Sequence, residues 1–298
     1  MRLFRSRAGV ATAWMLAVAT PDATLPRLPD PATLRWSMQL PLSEKVVFRG
    51  VVNFDQAGVA PVSMMYPAPN AVGLLAGVLT HALISKGSRE SQKTRIETEA
   101  NKVLEPYAPV IDAFRYTELA GRSKAWTLSG TQMPVLPRGA GHPDTWVVVV
   151  TPVFSLTQDQ TTLVLDNTVA LFAPGESKRS SYVNTIRVIS DAEAEPDPVA
   201  HWTANGGELL KDQGGQLLGQ SLDIAFADAA SPSTTTPFRT IRYMEGTTER
   251  MERGQPITEQ CDRVLLRSLR GTLMSVPVKA SCDDTRRDVL PIAAQGSG

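Results

Sequence analysis

The chain has 298 residues, 42% of them hydrophobic and 20% charged, with 30 basic side chains against 30 acidic ones. These are ordinary globular proportions, and the length allows one large domain or two smaller ones. A balance this even gives no strong field for nucleic acid or for an anionic membrane surface, and no nucleic-acid partner is expected.

The N-terminus reads as a secretory signal peptide. Arg2, Arg5 and Arg7 make a basic start, residues 8–19 are apolar or small, and Ala17-Val18-Ala19 offers the small side chains that cleavage needs. Twelve apolar residues are too few to span a bilayer as a stable helix. Cleavage near Ala19 leaves 27 basic against 30 acidic residues, a net charge of −3. Residues 20–43 follow as a Pro-rich extended leader, with Pro21, Pro26, Pro29 and Pro31.

Residues 44–290 read as a single α/β domain, with a possible internal division near 191–198 and a flexible tail at 291–298. Its first element, over residues 44–55, is rich in Val and Phe and predicts a strand. Asn70 then caps a helix that is apolar nearly all round up to Ser85 and one-sided and polar to about Tyr107. Its apolar part spans roughly 22 Å, short of the ~30 Å of a bilayer core, so a buried core helix is the favoured reading over membrane contact. Gly73 and Gly77, four apart on it, suit the close approach of a second helix.

Residues 145–157 and 161–173 predict a long antiparallel hairpin around "QDQ", and residues 180–190 a third strand. Pro152 inside the first strand implies an edge or a bulge. Asp197 and Pro198 fit the cap and first position of a second long helix, to about Asp228. Two glycine pairs interrupt it, Gly206-Gly207 and Gly214-Gly215. Each glycine inside a helix costs about 1 kcal/mol against Ala. Either the helix breaks there or these glycines form a packing face, for which Gly73 and Gly77 are the expected counterpart.

Residues 238–246 predict a strand. Residues 258–270 fit a helix or a hairpin strand, and the hairpin reading is preferred. A two-residue turn at Gly271-Thr272 would set Cys261 opposite Cys282, the chain's two cysteines. In an exported protein they are expected to form a disulfide.

The motifs that carry chemistry are missing. His81, His142 and His201 lie far apart in sequence, and no H-E-x-x-H or C-x-x-C spacing points to a metal. The acidic series Asp191, Glu193, Glu195 and Asp197 lacks the Gly and distal Glu of an EF-hand loop. "GQSLD" (219–223) is half of a nucleophile elbow, and no phosphate or dinucleotide loop is present. No cofactor, no metal site and no catalytic set is expected. The fold expectation is α+β (mixed α/β), a mainly antiparallel sheet with two long helices packed on one face. The functional expectation is a non-enzymatic periplasmic protein of a bacterial cell envelope, binding another envelope protein or itself. Two alternatives stand beside it: a hydrolase with a dispersed site around His142, Asp144 and His201, or a membrane-inserting assembly subunit using residues 71–85.

Overall fold

A run of four valines, Val147 to Val150, passes through the middle of the molecule. All four are buried, and beyond them the strand alternates between buried and half-exposed residues as far as Leu156. The structure, a computed structural model, describes residues 26–51, 88–231 and 236–279. Its strands are β1 (Arg35–Gln39), β2 (Val47–Gly50), β3 (Thr131–Gln132), β4 (Trp146–Leu156), β5 (Leu163–Phe172), β6 (Tyr182–Ile189), β7 (Arg239–Glu245), β8 (Thr248–Glu259), β9 (Arg263–Ser268) and β10 (Leu273–Pro277). Its helices are α1 (Ser88–Asn101), α2 (Ala108–Ala113), α3 (Tyr116–Ser123) and α4 (Pro198–Ala230), with 3₁₀ turns at Pro31–Thr33 and Lys102–Tyr107.

The strands form one sheet in the order β3-β1-β4-β5-β6-β10-β9-β8-β7. The β4–β5–β6 meander and the β7–β8–β9–β10 meander are antiparallel, and they join through the parallel pair β6–β10. β1 and β2 share one edge of β4. β1 runs parallel to Trp146–Val149 and β2 parallel to Val153–Leu156. Pro152, expected at an edge or a bulge, instead sits inside the sheet at the gap between these two partners. A missing N–H costs nothing where no strand lies opposite to receive it.

One face of the sheet carries the main core. Phe154, Leu165, Val169, Ile186 and Val188 pack against Leu217, Leu218, Leu222 and Phe226 of α4. Trp36 of β1 meets Phe226 with ring centroids 5.2 Å apart, and Phe48 stacks on Phe154 at 5.2 Å. Of these, the fully buried side chains such as Trp36, Phe154 and Phe226 each contribute roughly 1.5–3 kcal/mol. Residues 26–43, expected as an unpacked leader, take part in this core. Leu28 and Leu34 are buried, and β1 is an inner strand.

The α+β expectation holds in its coarser form, a large and mostly antiparallel sheet with helices. Two long helices on one face are not present among the described residues. α4 alone is long. The stretch expected to continue helically to Tyr107 leaves α-geometry at Lys102, with Pro106 inside the 3₁₀ turn that follows. Residues 71–85, with Gly73, Gly77 and His81, lie outside the described residues.

α4 is itself interrupted. Asn205, Gly206 and Gly207 have φ of 52°, 72° and 79°, which breaks the helix after its first turns. Gly207 takes this left-handed conformation against Val110, whose Cγ1 lies 2.1 Å from where a Cβ would be. Beyond the break Gly214 and Gly215 are buried within regular helix, facing Leu119 and Arg122 of α3. The start of α4 is as expected: the Asp197 side chain caps Ala200 N–H at 2.9 Å, with Pro198 at the first helical position.

The β9–β10 hairpin is also present, but with a different register. Arg267 pairs Leu273 and Arg263 pairs Pro277, and with Ser268 N–H donating to Thr272 O at 2.9 Å the turn is closed by three residues, 269–271, rather than by Gly271-Thr272. Gly271 supplies its positive φ of 84° within that wider turn. Carried outward, this register sets Cys261 level with Lys279. Cys261 is exposed in the β8–β9 turn, and Cys282 lies outside the described residues.

Candidate functional site

The second face of the sheet is covered at both ends and open between them. At one end Leu136 packs on Val147, Val149, Ala170 and Phe172. The loop around it is pinned by Gln39, whose amide donates to Ala140 O at 2.6 Å and accepts from Gly139 N–H at 3.1 Å. At the other end Ile241 and Tyr243 of β7 pack on Val164, Ile189, Met274 and Val276. The last strands therefore roll over the sheet, and β7 lies against β10.

Between these walls run two rows of half-exposed residues across β4, β5 and β6. Register aligns Thr151, Thr168 and Thr185 in one row and Val153, Asp166 and Arg187 in the next. Neighbours in a row are about 4.8 Å apart, and alternation puts all six on the face away from α4. The Thr168 and Thr185 hydroxyls lie 3.3 Å apart, and the Thr151 hydroxyl is buried with no hydrogen-bond partner in the structure. Arg187 binds Asp166 with two parallel bonds, Nε to Oδ1 and Nη2 to Oδ2, each 2.7 Å. The charge of the Asp166 carboxylate outweighs burial, which opposes ionisation, and holds the guanidinium firmly protonated.

The rolled-over strands bring more charge to the same trough. Burial, and after it the charge of Glu245, pushes the Tyr243 hydroxyl up to about 12. Glu245 is nearly buried, with Arg250 at 3.8 Å. Burial raises the Glu252 carboxyl above its ordinary range, opposed by the more weakly felt charges of Arg270 and Arg187. A trough of this kind presents hydroxyl donors and acceptors, one pre-oriented guanidinium and a carboxyl that is costly to ionise. Those groups suit recognition of a polar ligand.

The residues singled out from sequence do not converge there. His142 lies in the loop before β4, where its carbonyl accepts from Gly175 N–H at 2.8 Å and its ring from Asp144 N–H at 3.2 Å. His201 lies at the start of α4, where the neighbouring Trp202 donates to Gln160 O in the β4–β5 turn at 2.8 Å. The two histidines are thus at opposite ends of β4, roughly 35 Å long. His201 Nε2 is 3.8 Å from the Glu193 carboxylate. Asp191 pairs Arg263 at 2.8 Å and Asp197 caps α4, so the acidic series is divided among structural tasks. Ser221 of "GQSLD" is buried, donating to Leu218 O at 2.7 Å and accepting from Asn167 at 2.9 Å. Among the described residues no group of three or more His, Cys, Asp and Glu could hold a metal ion. No described helix is long and apolar enough to cross a membrane.

The sequence does not single out Asp166 and Arg187, because their pairing depends on the β5–β6 register. The available signal was local: Asp166 and Thr168 are polar interruptions at alternate positions of an otherwise apolar strand. No protein-family model, no curated protein and no solved structure matches the chain.

Proposed function

We propose that this is an exported, non-enzymatic protein of a bacterial cell envelope that acts by binding, with the open sheet face as its ligand surface. The observation that carries the reading is the pair of rows Thr151–Thr168–Thr185 and Val153–Asp166–Arg187, left half-exposed between two walls on a sheet otherwise well covered. Rigid strands hold these groups at fixed spacing, as a recognition surface requires. Export is supported by the basic and apolar N-terminus with its small-residue site. The partner in this reading is another envelope protein or a second copy of the chain.

Two measurements test it. Cell fractionation with mass spectrometry of the native N-terminus is expected to find the chain in the periplasm, starting just after Ala19. A photo-cross-linking residue at Thr168 or Thr185 is expected to capture one discrete partner in cells, whereas the same residue at Lys124, on the helix side, captures none. A cytosolic chain starting at Met1 overturns export. Equal capture from both faces overturns the binding surface.

A further inference from the structure

β8 serves two neighbours on different stretches. Residues 248–254 pair β7 and residues 254–259 pair β9, so the two pairings share one residue, Gly254. One more backbone bond, Leu269 N–H to Arg253 O at 3.3 Å, lies just beyond it. β7 and the first half of β8 thus form a two-stranded ribbon hung from the sheet along one line. The same line is marked on both strands. The β8 register shifts between Pro256 and Thr258, and a bulge bends the strand that carries it. Ahead of β7, Thr236 Oγ1 donates to Pro256 O at 2.8 Å, and Gln255 Nε2 donates to Thr236 O at 2.9 Å.

An isolated two-stranded ribbon is marginal in water, so its contacts decide where this one rests. Along its length Ile241 and Tyr243 press onto the sheet. At its tip the contact is polar and specific. Asp159 of the β4–β5 turn accepts from Thr247 N–H at 2.6 Å and from Thr247 Oγ1 at 2.8 Å. Its other oxygen accepts from Thr157 Oγ1 at 2.6 Å and Thr161 Oγ1 at 2.9 Å, which fixes the carboxylate in place. Gly246, at φ 64°, lies so close that a Cβ there would stand 2.4 Å from Asp159 Oδ2. The tip fits the carboxylate only because it has no side chain at that point.

We infer that the ribbon is a hinged lid over the trough, turning about Gly254 and held shut by the clasp between Asp159 and the Gly246-Thr247 tip. The inference takes from the proposed function only that a ligand enters the trough. With the clasp open, and the Ile241 and Tyr243 contacts and the Glu249–Lys279 ion pair (2.9 Å) released, the ribbon swings about Gly254. Arg187, Asp166 and the threonine row then gain a wider mouth, while the α4 side of the sheet stays packed.

Hydrogen exchange of the full-length chain, read by mass spectrometry, tests this without a ligand. In the wild type, amides of 240–251 are expected to exchange through a small opening that responds weakly to added urea. Those of β4, β5 and β6 should exchange only on global unfolding. Gly246→Ala pushes the tip off the carboxylate and leaves the β4–β5 turn intact. It is expected to speed exchange in 240–251 roughly tenfold or more, with β4–β6 unchanged. Thr247→Val, which removes one of the clasp's bonds, should do the same to a smaller extent. Ribbon and β4–β6 amides exchanging together in the wild type overturn the lid. So does ribbon exchange unchanged by Gly246→Ala. Either failure would make the ribbon a fixed wall and leave the trough itself to the cross-linking experiment.

Discussion

The Tyr116 hydroxyl donates to the Pro152 carbonyl at 3.1 Å and accepts the Val47 N–H at 3.3 Å. It stands at the one place where β4 passes from its first parallel neighbour to its second. A side chain from α3 thereby takes up backbone groups at a seam in the sheet. Burial comes first in holding the phenol neutral and raises it above its ordinary value.

Tyr116→Phe keeps the ring and removes both bonds. It is expected to cost about 1–3 kcal/mol in urea unfolding, because a buried carbonyl loses its donor. A loss below about 0.5 kcal/mol, the range of an indifferent surface change, would show that the seam does not depend on the hydroxyl.

Gly206→Ala and Gly207→Ala separate backbone strain from steric contact. Both positions have positive φ, 72° and 79°. A Cβ at 206 meets nothing within 4 Å, whereas one at 207 meets Val110. Gly206→Ala should cost about 1–2 kcal/mol for the left-handed backbone alone. Gly207→Ala should cost at least about 1 kcal/mol more, and Val110→Ala in the same chain should recover part of the difference. Equal costs would remove Val110 from the account.

Glu252 gives a pH dependence of definite sign. Its carboxyl is raised in the folded state, chiefly by burial, so ionising it opposes folding. The penalty is absent below the unfolded value, about 4.3, and grows as pH rises through the folded value. Glu252→Gln is therefore expected to raise Tm at pH 7 and to leave it unchanged near pH 4. A gain of equal size at both pH values would point to packing instead of charge.

The proposed disulfide between Cys261 and Cys282 predicts that the native protein has no titratable thiol and loses stability on reduction. A loop of this length corresponds to about 3 kcal/mol. At Val278 the chain has turned back toward Cys261, since Val278 N–H donates to Asp262 O at 2.8 Å. Two thiols reacting without denaturant in protein isolated under oxidising conditions would refute the bond.

What could be read from the sequence was what local pattern decides. The valine run of β4, its polar turn and the apolar run of β5 gave a hairpin because nothing else competes over that length. Asp197-Pro198 gave the start of α4 because capping is a property of neighbouring residues. The break in α4 was half legible: the glycine cost was visible, but not that Val110 fills the space at one pair while α3 packs on the next. β1, β3 and β8 are not legible from local pattern. β1 is short and follows prolines, β3 has two residues, and β8 is mostly polar because half of it belongs to the ribbon and not to the sheet. The rows of the trough needed three strands in register, and no single segment holds that information.

The bend joining β4 to β5 looks like an ordinary surface loop, yet three consecutive residues there hold five separate parts of the molecule. Gln158 donates to Val51 O at 3.0 Å and to Ala100 O at 3.2 Å, while Asp159 grips Thr247. Gln160 accepts from Tyr107 at 2.6 Å through its side chain and from Trp202 through its carbonyl. Most hairpin tips tolerate an inserted residue, since they answer only to their own two strands. Here one extra residue would put every attachment out of step at once, so the outermost point of the longest hairpin is where this polypeptide has least freedom to vary in length.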